Sequence, residues 1–221
     1  MKSKLYKLIF VLNREKYVFA ASLLFGIAVS FFAAVYSYSN EIGGEISDSV
    51  LRLHILANSD DERDQELKLL VRDAILDEFG EKLDMLSSKE EAMDFLAEQT
   101  DRIKHCAEKT LGENGCAYGV DVRLENEKFP TKNYGGISLP AGNYQAVRVI
   151  IGEGGGQNWW CMLFPPMCFI DITKAEVSSQ SRETLKSSMS DEAYSVIAES
   201  DRSIKLKLKF KIIELWQSRK S

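Results

Sequence analysis

The longest apolar stretch of the chain lies near its beginning. Residues 17–38, from Tyr17 to Tyr38, hold no charged side chain over 22 positions. As a helix rising about 1.5 Å per residue, this stretch is about 33 Å long and crosses the hydrocarbon core of a membrane. A basic leader, residues 1–16, precedes it and acidic positions follow, so the bias of positive charge toward the cytoplasm directs the remainder outward. The pattern predicts a membrane helix with an exported portion beyond it.

Whether this helix is kept or removed is left open by the sequence. The apolar region of a cleaved signal is about 7–15 residues long, so the length favours a transmembrane anchor. Small residues occur at Ala33, Ala34 and Ser37, but Val35 and Tyr36 interrupt a clean cleavage site. The segment is therefore assigned as a transmembrane anchor or a signal segment.

Residues 39–49 and 50–221 differ in pattern. The first range contains the pair Gly43-Gly44 among polar residues, which predicts a short flexible tether. The second range begins with Leu51, Leu53 and Ile55 in alternation with polar positions, which is typical of a half-buried strand. We therefore expect an exported folded domain to start at residue 50.

Two helices are predicted after that strand. Apolar residues at helical spacing run from 67 to 79, until Gly80, and again from 93 to 111, until Gly112. Each run follows a capping pattern, at positions 59–62 and 87–90. Further period-two or β-branched runs complete a predicted set of strands at 50–57, 117–125, 143–151, 159–164 and 203–215. The predicted fold class is α+β: an N-terminal membrane helix, then two helices packed on a mostly antiparallel sheet.

The last predicted strand has the most regular pattern in the chain. Apolar residues from Ile204 to Ile212 alternate with lysines from Lys205 to Lys211, and a strand places all four lysines on one face. Such lysines either keep the edge of a sheet from pairing or form a strip for an acidic partner or lipid headgroups.

Charge separates the chain into unlike parts. Five of its 28 Lys and Arg and one of its 33 Asp and Glu precede residue 39, which leaves residues 39–221 with a net charge of −9. An acidic exported domain argues against nucleic-acid binding. Two histidines and no C-x-x-C motif give no metal site, and we predict no cofactor and no small-molecule substrate.

If the domain is exported, its four cysteines are candidates for disulfide bonds. An oxidising compartment lets disulfides persist, and Cys106, Cys116, Cys161 and Cys168 allow three connectivities. The local pairing, Cys106 with Cys116 and Cys161 with Cys168, closes short loops and stabilises by about 2–3 kcal/mol each through lost chain entropy. Buried free thiols remain the alternative.

The sequence contains no recognisable set of catalytic residues, and we predict that the protein is not an enzyme. The glycine-rich segment 152–156 lacks the third glycine of a dinucleotide fingerprint and favours a turn between strands. A thiol hydrolase using Cys161 with His54 is the enzyme alternative, although the apolar neighbours of Cys161 would raise the pKa of a thiol.

The segment 158–169 is the strongest candidate for an interaction site. It concentrates aromatic residues and prolines beside two cysteines, and rigid aromatic anchors are where protein interfaces concentrate their binding energy. The predicted partner-binding residues are, in this segment and on the first strand, Trp159, Trp160, Phe164, Pro165, Pro166, Arg52 and His54. Stacking of the tryptophans on sugar rings, in a cell-wall glycan-binding module, is a second alternative.

Four blocks in this order resemble one known family. They are Arg52–Asp60, Phe129–Gly135, Pro140–Tyr144 and the Trp-Trp-Cys to Pro-Pro-Met-Cys block at 159–168. Together they span roughly residues 50–172 and resemble stage II sporulation protein R, a family of endospore-forming bacteria. Cys106 and Cys116 are additional to the family pattern.

The resemblance implies a role that composition and spacing do not supply. Proteins of that family are made in the forespore and signal from the intermembrane space. There they activate a membrane aspartic protease of the mother cell, which cleaves the precursor of a sigma factor. The resemblance therefore implies this protease as the partner. It also implies a location at the forespore cytoplasmic membrane with the domain in the intermembrane space, or secretion into that space.

Overall fold

A computed structural model describes residues 2–168 and 179–198, with side-chain positions from residue 15 onward. The chain divides into two compact units, Met1–Ile42 and Gly43–Ser221. The first unit is helical throughout its described part. Between residues 15 and 49 this helix is long and apolar enough to cross a membrane, and the span's most apolar part is not buried by the protein. Length and composition alone support this, and a signal sequence has the same properties.

The described part of the chain contains both helices and strands. They are α1 (Lys2–Ser49), β1 (Leu51–Leu56), α2 (Glu62–Asp84), α3 (Lys89–Glu98), α4 (Thr100–Glu113), β2 (Val120–Phe129), β3 (Lys132–Tyr134), β4 (Ile137–Leu139), β5 (Gly142–Ile151), β6 (Asn158–Phe164), α5 (Ser179–Ser187) and α6 (Asp191–Ala198). The predicted strand at 203–215, with its lysines, lies outside the described residues.

The predicted tether at 39–49 is wrong, because this range is the end of helix α1. Ile46 and Val50 are fully buried in the folded unit. Lys89 donates a hydrogen bond from Nζ to the carbonyl of Ser47, at 2.9 Å. A helical glycine costs only about 1 kcal/mol relative to alanine, so these contacts outweigh the Gly43-Gly44 pair.

The main sheet has four strands in the order β2-β5-β1-β6. Strand β2 pairs antiparallel with β5, and β6 pairs antiparallel with β1, whereas β1 and β5 run parallel. Strands β3 and β4 form a separate hairpin. The structure thus confirms an α+β fold with a mostly antiparallel sheet, and four of the five predicted strands correspond to β1, β2, β5 and β6.

The predicted helices differ from the observed ones in their ends. Helix α2 continues through Gly80, which is buried, to Asp84. The second predicted helix is two helices, separated at Gln99. The N-cap of α3 is Ser88, whose hydroxyl accepts from the Glu91 backbone N–H at 3.2 Å, so this capping pattern lies one residue later than predicted.

The two faces of the main sheet have different covers. On β1, Leu51, Leu53 and Ile55 share one face with Trp159, the partner of Ile55 on β6. The guanidinium of Arg72 on α2 lies 4.3 Å from the Trp159 ring, so this is the helix-covered face. Arg52, His54 and Trp160 lie on the opposite face, because side chains alternate along strands.

Candidate functional site

The face opposite the helices brings together predicted residues from separate strands. Register places Arg52 of β1 beside Met162 of β6, and His54 beside Trp160. Arg52 and His54 are 0% and 2% exposed, whereas Trp160 is partly exposed. We call this surface, centred on Arg52, His54 and Trp160, the polar sheet face.

His54 is held at both ring nitrogens. Its Nδ1 lies 2.6 Å from a carboxylate oxygen of Glu127 on β2, and its Nε2 lies 2.7 Å from the side-chain oxygen of Asn158 on β6. The Trp160 ring stacks on the imidazole with centroids 3.6 Å apart and 13° between planes. Side chains of β2 and β6 thus hold the imidazole of this β1 residue in one orientation.

Two acidic residues and one arginine extend the polar sheet face toward its exposed part. Arg148 of β5 pairs with Glu125 at 2.9 Å and with Glu127 at 3.5 Å. Its side chain and that of Glu125 are 28% and 34% exposed. Because β2, β5 and β1 are neighbours, these charges lie in a row that ends at His54. The row gives the face fixed charges of both signs.

Arg52 occupies an aromatic enclosure. Its guanidinium carbon lies 4.2 Å from the ring centroid of Phe129, 4.9 Å from that of Tyr144 and 5.7 Å from that of Tyr134. Aromatic rings attract a cation through their quadrupoles. Burial lowers the pKa of this guanidinium and, with Tyr144 deep in the same enclosure, raises the pKa of that phenol. Arginine keeps its charge under such conditions, since its ordinary pKa is above 12.

The other predicted partner-binding residues divide between surface and interior. Trp159 and Pro166 are partly exposed, whereas Phe164 is 1% exposed and Pro165 is buried. Trp159 lies on the helix-covered face, stacked against Arg72. Arg52, His54, Phe164 and Pro165 therefore offer no exposed contact in this structure, and the partner-binding assignment of Trp159, Trp160 and Pro166 remains a prediction.

One of the two predicted disulfides is present. Cys161 of β6 and Cys168 are bonded, which ties the turn containing Pro165 and Pro166 back to the strand. The prediction of a Cys106–Cys116 disulfide is wrong.

Cys106 and Cys116 are both free thiols. Cys106 lies on the buried side of α4, where burial and then the Glu78 carboxylate raise the pKa of its thiol to about 12. A short loop in sequence does not suffice for a bridge when one partner points into a helix-packed core.

The thiol hydrolase alternative loses its nucleophile in this structure. Cys161 is in the disulfide, and it lies opposite Leu53 on the helix-covered face, whereas His54 is on the other face. Among the described residues, no group of three or more His, Cys, Asp and Glu side chains is arranged to hold a metal ion.

The glycine-rich segment has a structural role. Gly155 and Gly156 donate backbone hydrogen bonds to the carbonyls of Asn58 and Ala57, both at 3.0 Å. A Cβ at Gly156 would lie 2.1 Å from the carbonyl oxygen of Ser59, so only glycine permits this approach. The segment fastens the ends of β5 and β6 to the loop before α2.

Sequence reasoning missed several members of the polar sheet face. Glu127, Phe129 and Tyr134 were not among the predicted site residues, and Asn158 was included only as the first residue of the candidate segment 158–169. The alternation along β2 placed Glu125 on one face of a strand, and the same period carried two residues further would have included Glu127. No local signal marks Tyr134, which reaches Arg52 only through the fold of the β3–β4 hairpin.

Comparison with known proteins assigns the chain to a family. Residues 47–174, more than half of the chain, match the family described as stage II sporulation protein R (spore_II_R). The curated protein named stage II sporulation protein R of Bacillus subtilis (strain 168) is 39% identical over 138 residues, which is 62% of this chain and 62% of that protein. The chain thus aligns with just under two thirds of the length of that relative, and no solved structure matches. The matched region contains β1 to β6 and with them the whole polar sheet face, and the chain belongs to the stage II sporulation protein R family.

Proposed function

We propose that this protein is an exported sporulation signal that activates a membrane aspartic protease of the mother cell, which then processes the precursor of a sigma factor. The observation that carries the proposal is the family match over residues 47–174, which supports a sporulation signalling role. Protease activation is the finer step that the proposal adds.

The layout of the chain supports an action outside the cytoplasm. A long apolar helix precedes the folded unit, and the folded unit contains a disulfide. Disulfides persist in oxidising compartments and are rare in the cytosol of most bacteria. Both features fit a domain held at, or released from, the outer side of the forespore membrane.

Activation by binding needs only a difference in affinity between two states of the partner. A protease with an inactive and an active state shifts toward the active one when this domain binds that state more tightly. The exposed part of the polar sheet face carries an aromatic ring and fixed charges of both signs, through Trp160, Arg148 and Glu125. Such a mixture suits recognition of one partner surface.

Reconstitution in a non-sporulating bacterial host tests this function. The full chain, the candidate protease and the sigma-factor precursor are expressed together, and the precursor and its product are separated by electrophoresis. We expect conversion only when all three are present. Absence of conversion, with all three proteins detected in the membrane fraction, would contradict the proposal.

A pair of variants links the activity to the polar sheet face. Trp160→Ala removes the exposed ring beside His54, whereas Met85→Ala removes a 74% exposed side chain at the end of α2. We expect conversion to fall at least about tenfold in the first, as for an interface hot spot, and to stay at the wild-type level in the second. Circular dichroism of the purified domain checks that both variants are folded.

A further inference from the structure

Arg52 is the largest fully buried side chain among those described, and it has no acidic partner. Its residue is 0% exposed, and none of the ion pairs in the described part of the chain includes it. Buried charges in proteins are normally paired, because removing an ion from water is costly without compensation. An isolated buried guanidinium therefore calls for an explanation.

The hydrogen bonds of Arg52 are incomplete. Its Nε donates to the carbonyl of Cys161 at 3.2 Å, and one terminal nitrogen, Nη2, donates to the Tyr134 hydroxyl at 2.8 Å. The other terminal nitrogen, Nη1, is buried and has no hydrogen-bond partner within the described protein. Arg52 thus has two neutral acceptors and one terminal nitrogen without an acceptor, and no anion in the described part of the chain balances its charge. A carboxylate can accept hydrogen bonds from both terminal nitrogens at once.

The element that closes the enclosure is small. Tyr134 belongs to the β3–β4 hairpin, whose two strands have three residues each and form a sheet separate from the main one. The hairpin is held by the Tyr134 hydroxyl, which accepts from Arg52 and donates to the Trp160 carbonyl at 3.5 Å, and by Arg182 donating to the Gly135 carbonyl. Buried Ile137 and Leu139 and the packing of β4 against α6 add to these contacts. Two-stranded hairpins are marginally stable by themselves, so its position depends on these contacts with the rest of the domain.

We propose that Arg52 is a receptor for a carboxylate side chain of the protein partner, and that the β3–β4 hairpin covers it until the partner binds. The Tyr134 hydroxyl occupies the place of one carboxylate oxygen in the free protein. Binding displaces the hairpin, and the carboxylate accepts hydrogen bonds from Nη1 and Nη2. No covalent step is involved. The inference rests on the proposed signalling function and adds the chemistry of the group that is recognised.

Two substitutions on the two sides of one hydrogen bond separate this role from a structural one. Arg52→Met removes the receptor but keeps an apolar side chain of similar length in the enclosure. Tyr134→Phe keeps Arg52 and removes only the hydroxyl that competes with the carboxylate. Arg63→Met is the matched control, because Arg63 lies on α2, which covers the opposite face of the sheet, is 56% exposed and pairs with Glu66.

The measurement is precursor conversion as a function of the amount of exported chain, with expression of the chain varied. We expect the amount needed for half-maximal conversion to rise at least about tenfold in Arg52→Met and to fall about threefold in Tyr134→Phe, which are the sizes set by one charged hydrogen bond gained or freed. Arg63→Met should follow the wild-type curve. Thermal unfolding of each purified domain shows which variants are folded.

Opposite shifts in the two variants support the receptor, whereas a structural Arg52–Tyr134 bond predicts that both lose signalling as stability falls. Wild-type conversion by folded Arg52→Met overturns the inference. So does conversion at or below the wild-type level by folded Tyr134→Phe, which decides the matter even if Arg52→Met does not fold. Failure of the wild-type chain to produce any conversion refutes the proposed function instead.

Discussion

Arg52 and His54 lie two positions apart on one strand, and both are polar residues in the interior. His54 has a polar side-chain partner at each ring nitrogen, in Glu127 and Asn158. Arg52 has only neutral acceptors and aromatic rings. The two side chains therefore differ in their hydrogen bonding although they alternate alike in the sequence: both ring nitrogens of His54 have a partner, whereas Nη1 of Arg52 has none within the described protein.

Phe164 illustrates how burial changes the interpretation of a predicted contact residue. We expect Phe164→Ala to lower the free energy of unfolding by about 3–5 kcal/mol, because a fully buried phenylalanine leaves a cavity when it is truncated. Met85→Ala, at a 74% exposed position, should change it by less than about 0.5 kcal/mol. Urea denaturation of the purified domain measures both. A Phe164→Ala effect as small as the control would mean that this ring is not in the core.

Asp64 on α2 gives the domain a defined dependence on acid. The Ser59 hydroxyl and the Asn58 amide donate to its carboxylate at 2.7 and 2.8 Å, and these bonds lower its pKa. A carboxyl whose pKa is lower in the folded than in the unfolded state stabilises the fold above its unfolded pKa. That stabilisation is lost as the pH falls through the folded pKa.

The Asp64→Asn variant tests this dependence, because asparagine keeps the volume and removes the charge. The wild type should be more stable than the variant near pH 6, and the difference should shrink as the pH is lowered toward 2. Urea midpoints at each pH give the comparison. A difference that stays constant with pH would show that the charge of Asp64 does not contribute.

Elements with a long, regular pattern were predictable from the sequence, and short ones were not. Strict alternation at 51–55 predicts strand β1, and a β-branched run from Tyr144 to Ile151 predicts β5. The β3–β4 hairpin has three-residue strands, too short to display a period, and none of the predicted strands includes them. The same reason hides the aromatic enclosure, since Tyr134 comes from that hairpin.

Tertiary contacts explain why the helix is interrupted at Gln99, between α3 and α4, and why α1 continues past residue 39. Leu96 and Ile103 are both fully buried, and a break between them lets α3 and α4 each direct an apolar side toward the core. Likewise, Ile46 is buried despite the two glycines that precede it. Local propensity is a weak predictor when burial of apolar side chains opposes it.

The cysteines offer a direct check on the elements they belong to. Alkylation of the unfolded, unreduced protein should modify Cys106 and Cys116 only, and all four cysteines after reduction. In the folded protein Cys106 should react slowly at pH 8, because its pKa of about 12 leaves little thiolate. Mass spectrometry of peptides identifies the modified positions. An unfolded, unreduced protein without reactive thiols would restore the Cys106–Cys116 disulfide.

At the scale of the whole molecule, the account depends on which side of the membrane the folded unit occupies. An apolar helix between a basic leader and an acidic domain, and one disulfide in that domain, both fit export. The family match covers residues 47–174 of the folded unit and leaves residues 1–46, with most of the first helix, outside it. The role of the first helix is therefore inferred from its length and apolar composition and not from the family match.

The most direct test of the central claim compares the full chain with a chain lacking residues 2–38 in the reconstituted host. Both are expressed at equal levels with the candidate protease and the sigma-factor precursor, and conversion of the precursor is measured. The account predicts conversion with the full chain and none with the shortened one, which stays in the cytoplasm. Equal conversion by the two chains would contradict signalling from outside the membrane.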